Sequence, residues 1–149
     1  MSLATLAPPE VIKAEPRDPG HDLVHIAIPC RDLDETVAFY GGQLGCPLYR
    51  RYDDRVTFDF FGSQLVCHLS PQNIDATPRM YPRHFGMTFR DRKSFDAVHE
   101  RARDADAAFY KPLFPRFKGK REEHLTFFLR DPANNLLEFK HYHDPKMMF

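Results

Sequence analysis

Two of the eight histidines in this chain sit in stretches that repeat each other. His25-Ile-Ala-Ile-Pro-Cys-Arg31-Asp32 aligns without a gap on His84-Phe-Gly-Met-Thr-Phe-Arg90-Asp91, with an Arg-Asp pair six and seven residues after each histidine. Side chains alternate along a strand, so His25 and Ala27 share one face, and Val24, Ile26 and Ile28 the other. In the second stretch His84, Gly86 and Thr88 share a face, opposite Phe85, Met87 and Phe89. Each histidine thus points away from the large apolar residues, among small ones, as the lining of a cavity requires. His68 and Glu138 lie on the last strand-like run of each half, and the repeat pairs them. Three imidazoles and a carboxylate suit Fe, Zn, Ni, Co or Mn. His25, His84 and Glu138 alone make a two-His, one-carboxylate facial set, whose open positions would bind substrate oxygens and act as a Lewis acid. His68 is read as either a fourth ligand or an acid–base group beside the metal. His124 heads a strand and is read as a surface or loop residue, and His21, His99, His141 and His143 as surface residues.

These residues need elements to carry them. Residues 23–28 read as a strand stopped by Pro29. Asp32 with Glu35 is a capping-box-like helix start, Leu33, Val37, Tyr40 and Leu44 recur at helical spacing, and Gly45 stops the run. Strands are predicted over 47–52, 55–61 and 64–69, with turns at Asp53-Asp54 and Gly62-Ser63. After a loop over 70–81 the order repeats. A strand covers 83–89, a helix 91–106 with Phe95, Val98 and Ala102 on one face, a short strand 108–110, a long basic loop 111–123, and strands 125–129 and 136–141. The fold class is α+β, two βαβββ modules. Residues 1–21 read as a mobile tail, 22–142 as one domain with modules at 22–70 and 82–142, and 143–149 as a C-terminal tail.

Composition narrows the partners. The 149 residues suffice for one domain with a proper core. Lys+Arg and Asp+Glu balance at 21 each, so there is no basic excess for nucleic acid and no polybasic membrane anchor. No apolar run is long enough for a transmembrane helix, and a start containing Pro8, Pro9, Glu10, Glu15, Pro16 and Pro19 is no signal peptide. Cys30, Cys46 and Cys67 lack CxxC spacing and read as reduced thiols of a cytoplasmic protein. No GxGxxG, Walker or GxSxG motif is present. Cys67 and His68 are strand neighbours facing opposite ways, which argues against a nucleophile pair. The basic, aromatic-bearing stretch 111–121 reads as a solvated loop or as a loop meeting an anionic small molecule.

The paired modules, the stretch DLDETVAFYGGQLG (32–45) and Asp131-Pro-Ala-Asn-Asn-Leu-Leu-Glu138-Phe resemble the vicinal oxygen chelate superfamily of glyoxalases, bleomycin-resistance proteins and extradiol dioxygenases, over residues 22–142. Tyr81-Pro-Arg-His-Phe-Gly supplies the second-half histidine, and Asn134 stands where that family usually has glycine. The resemblance implies a curved, barrel-like mixed sheet closing around a divalent metal, with His25, His84 and Glu138 at the shared ligand positions. It implies a homodimer or a single chain as the unit that builds the site, and a small substrate chelated through adjacent oxygens. A glutamate ligand is frequent at the place of His68 in glyoxalases. In extradiol dioxygenases a histidine lying between the two ligand histidines is an acid–base group. The reading is a metal-dependent enzyme of ring-cleaving dioxygenase type with Fe2+, ahead of a glyoxalase-like lyase or isomerase and of a metal-free binding module. Phe127 and Phe128 stand where the dioxygenases use a tyrosine.

Overall fold

The computed structural model describes residues 9–149, and the first eight residues of the expected N-terminal tail lie outside the described residues. Eight strands form two four-stranded mixed sheets. In the first, β1 (His25–Cys30), β2 (Leu48–Arg51), β3 (Arg55–Phe60) and β4 (Ser63–Leu69) take the order β1-β4-β3-β2. In the second, β5 (Phe85–Thr88), β6 (Phe109–Arg116), β7 (His124–Arg130) and β8 (Leu136–Tyr142) take the order β5-β8-β7-β6. Each first strand is parallel to the last of its module and the rest are antiparallel, so the repeat seen in the sequence is a repeat of topology.

The helices start where the caps place them. Asp32 accepts from the Glu35 amide at 2.8 Å and opens α1 (Leu33–Thr36). The helix runs on as a π-helical segment, Val37–Gln43, in place of a regular α-helix. It ends at Gly45, whose φ of +75° only glycine adopts without strain. Asp91 caps α2 (Arg92–Asp104) through the amides of Lys93 and Ser94. Phe95, Val98 and Ala102 are its buried face, as expected.

Two expectations are corrected. Residues 111–116, expected as loop, belong to β6. Pro112 and Pro115 have no N–H to give to a ladder, but β6 is an edge strand paired only with β7, and irregularities between Phe109 and Phe114 accommodate Pro112. The sheets also do not close into a barrel within the chain. Their helix-facing sides instead share one core, in which Phe60 packs on Phe85 at 5.5 Å and on Phe139 at 6.3 Å between ring centres. Phe60 and Phe139 are fully buried, and each contributes about 1.5–3 kcal/mol relative to exposure. No helix among the described residues is long and apolar enough to cross a membrane.

Candidate metal centre

Glu138 sits mid-strand on β8, opposite Gly86 on one side and Phe128 on the other. The β5 and β8 backbones approach so closely that a Cβ at Gly86 would lie 1.7 Å from the Glu138 carbonyl oxygen, so only glycine fits. The Glu138 side chain is buried at 7% exposure. The Thr126 hydroxyl, on β7, donates to its Oε2 at 2.7 Å. Its Oε1 faces His84 Nε2 at 3.1 Å.

His84 stands one residue before β5, and its Nδ1–H donates to the Met80 carbonyl. With Nδ1–H committed, Nε2 can meet the Glu138 carboxylate in two ways, as the second N–H of an imidazolium that ion-pairs with it or as a lone pair beside a cation that both groups hold. His25 is oriented in the same way. Its Nδ1–H donates to Gln64 Oε1 at 2.8 Å, leaving Nε2 as the outward donor. His25 lies exposed on the side of sheet one that faces away from the core cluster, and it shares that side with half-buried Gln64, buried Val66 and exposed His68 of β4.

The structure therefore brings His84 and Glu138 together and holds His25 on the other sheet. Among the described residues no group of three His, Cys, Asp or Glu side chains is assembled for a cation. His68 is placed apart from both. Ala27 is the repeat equivalent of Gly86; it pairs with Val66, whereas His68 pairs with Pro29. Val66, not His68, thus holds the position that Glu138 holds in module two. At the rise of an extended strand, His68 lies about 7 Å beyond Val66 and about 13 Å beyond Gln64.

Sequence reasoning missed Gln64, Thr126 and the Met80 carbonyl, which orient the three donors. Thr126 was recoverable in principle, since it shares the alternation of β7 with Phe128. It also misplaced several histidines. His124 is 4% exposed and lies against Tyr142, and the ring of His99 meets Phe109 and Phe127. The His141 Nδ1–H donates to the Phe89 carbonyl at 3.1 Å.

The Asp131 turn positions β8 against module one. Buried Asp131 accepts from the Tyr40 hydroxyl at 2.7 Å, the amides of Ala133 and Asn135, and Asn135 Nδ2. Asn135 Nδ2 also reaches the Pro29 carbonyl at 3.0 Å, at the end of β1. Burial pushes the Asp131 carboxyl above the usual aspartate range, against those donors. Asn134 has φ of +62°, a left-handed conformation that asparagine tolerates better than other non-glycine residues, so it can stand in for the expected glycine.

Residues 22–139 match the Glyoxalase/Bleomycin resistance protein/Dioxygenase superfamily. No curated protein sequence matches the chain. Among solved structures, a glyoxalase/bleomycin resistance protein/dioxygenase from Alicyclobacillus acidocaldarius is 58% identical, with 89% of this chain and 99% of that one covered and a TM-score of 0.84. A genomically encoded fosfomycin resistance protein, FosX, from Listeria monocytogenes shares the fold at 19% identity, with 87% and 98% covered and a TM-score of 0.65. Lactoylglutathione lyase from Agrobacterium tumefaciens does so at 18% identity, with 80% and 92% covered and a TM-score of 0.60. With most of its length matched to the family and a well-covered relative at 58% identity, this chain belongs to the glyoxalase/bleomycin resistance protein/dioxygenase superfamily.

Proposed function

We propose that the protein is a metal-dependent enzyme that binds a small substrate by two adjacent oxygens, of the ring-cleaving dioxygenase type. The observation that carries this is His84 Nε2 facing Glu138 Oε1 at 3.1 Å with its Nδ1 already committed. His84, Glu138 and His25 would hold the ion, two borderline nitrogen donors and one oxygen, which suits Fe2+ and also Zn2+, Ni2+, Co2+ or Mn2+. Because His25 is held on the other sheet, a second copy of the chain supplies it in this reading, and the enzyme is a homodimer. A bound divalent ion supplies Lewis acidity toward the substrate oxygens.

Val66 offers no donor where module two has Glu138, so module one contributes His25 alone. A three-donor set leaves more open positions than a four-donor set, and this favours the dioxygenase type over the lyase. Gln64, Met80 and Thr126 orient the donors. His68, exposed and on the same face as His25, is too far along β4 to share an ion with it. In this reading its role is that of the acid–base group toward the substrate, separate from the ligands.

Metal analysis of the purified full chain tests the assignment. His25→Ala and Glu138→Gln should each abolish stoichiometric metal, and His68→Ala should retain it. Mixing the first two variants should restore about a quarter of the sites. Half of randomly exchanged dimers would be mixed, with one intact site of two. No metal in the wild-type protein sinks the enzyme reading, and no restoration sinks the shared site. Oxygen uptake with a catechol panel, against isomerisation of a hemithioacetal, separates the two chemistries.

A further inference from the structure

Residues 9–24 cross sheet one from edge to edge. Val11 packs on Gly41, and Leu48 of β2 bonds to Ile12 and Ala14, both at 2.8 Å. The chain must then reach β1 at the opposite edge, three strand spacings or about 14 Å away. Its far end is pinned where the Gln64 amide donates to the Val24 carbonyl at 2.8 Å. The crossing segment is thus a strap tied at both ends. A cavity of about 380 Å3 lies between it and the sheet.

The cavity lining is specific in charge. Arg17 comes from the strap, and Arg50, Tyr49, Asp59 and Gln64 come from the sheet. Asp59 Oδ1 accepts the Gly62 amide at 2.7 Å and holds the β3–β4 turn. Its Oδ2 pairs with Arg17 at 3.8 Å, so Asp59 offsets one of the two guanidinium groups. The Arg17 Nε donates to the Tyr49 hydroxyl, which fixes its direction without neutralising it. Arg50 makes no ion pair or side-chain hydrogen bond among the described residues. Pro16, Pro19 and Leu23 of the strap supply apolar walls. Two guanidinium groups against one carboxylate leave a net positive charge, carried by the unpaired Arg50, beside those walls, which suits an organic anion.

The cavity is also joined to the candidate metal centre. His25, Gln64 and Asp59 are register partners across β1, β4 and β3 and form one row. Gln64 lines the cavity and fixes His25. We propose that the cavity under the strap is a binding subsite for the anionic end of the substrate, a carboxylate, phosphonate or sulfonate on an apolar or aromatic body. The identity of that ligand as substrate rests on the metal-enzyme reading above; the binding of an anion there does not.

The experiment titrates the full-length protein with 2-naphthoate and with neutral 2-naphthamide, following backbone amide signals. The acid should move the signals of residues 16–23, 49–50 and 57–64 and bind at least about 10-fold more tightly than the amide, the worth of a charge-assisted pair. Arg50→Gln should weaken the acid by about 10-fold and change the amide by less than about twofold. Arg17→Gln tests the same charge from the strap should the first variant fold poorly. Equal binding of acid and amide, signal changes confined elsewhere, or an acid affinity unmoved by both variants overturns the proposal. His84→Ala should leave naphthoate binding intact. Failure of metal binding with naphthoate retained would therefore strike only the enzyme reading, and the converse only the subsite.

Discussion

Asp131→Ala removes one acceptor from four donors at once. The Tyr40 hydroxyl at 2.7 Å, the Ala133 amide at 2.8 Å, the Asn135 amide at 2.9 Å and Asn135 Nδ2 at 2.8 Å all converge on this carboxylate. A hydrogen bond to a charged group is worth about 1.5–3 kcal/mol, but the four share one acceptor and do not add. The upward displacement of the Asp131 carboxyl shows that burial outweighs the donors and offsets part of their worth. A net loss of about 3–5 kcal/mol is expected, the scale for breaking a buried charged network. Asp131→Asn keeps an oxygen for the two backbone amides and should lose about 1–3 kcal/mol. Urea unfolding reads both as a lower midpoint at unchanged slope. A double-mutant cycle with Tyr40→Phe should show a coupling of about 1–3 kcal/mol. The pH dependence has a definite sign. Because the folded-state value is raised, the contribution of this group is fully present below the ordinary aspartate value and is lost as pH rises through the folded value. The advantage of wild type over Asp131→Asn should therefore grow as pH falls through that window. If Asp131→Ala stays within about 1 kcal/mol of wild type, the role of the turn as the link between modules is refuted.

Other expectations concern the centre and the thiols. Gly86→Ala puts a Cβ 1.7 Å from the Glu138 carbonyl oxygen and should cost at least about 3 kcal/mol or prevent folding; wild-type stability in urea would contradict the close approach of β5 and β8. Thr126→Val removes the donor to Glu138 Oε2 and should lower metal affinity by about 10–100-fold, measured by competition with a chelator; unchanged affinity would show that the hydroxyl does not position the carboxylate. Cys30, Cys46 and Cys67 are each at most 2% exposed, so a thiol reagent should label none in the native protein and all after unfolding. Burial pushes the Cys46 and Cys67 thiols far above the ordinary value, so the unfolded chain loses those protons first. Stability should fall above about pH 8.5, by up to about 1.4 kcal/mol per pH unit for each thiol, and a flat denaturation profile there would refute the assignment.

Local patterns wrote most of the fold into the sequence. The alternation around His25 and around His84, the caps at Asp32 and Asp91, and the Asp131-Pro132 turn each depend on a few adjacent residues, and the structure has an element at each. Strand β6 was not legible past Tyr110 because Pro112 and Pro115 argue against a strand until its place at a sheet edge is known. The site divides in the same way. Residue type and repeat position singled out His25, His84 and Glu138, and the parity of β1 set which way His25 faces. The pairing of His68 with Glu138 was an inference about register between β1 and β4, and the tertiary structure gives that place to Val66. Register joins residues such as His25 and Gln64, 39 positions apart, and the Tyr40–Asp131 bond spans 91. Such links are selected by which apolar faces share the core, and no local period encodes that choice. The sequence by itself determined most of the strands, the helix starts and the candidate donor residues. Only the tertiary structure decided that one core takes the helix-facing sides of both sheets and leaves His25 apart from His84 and Glu138.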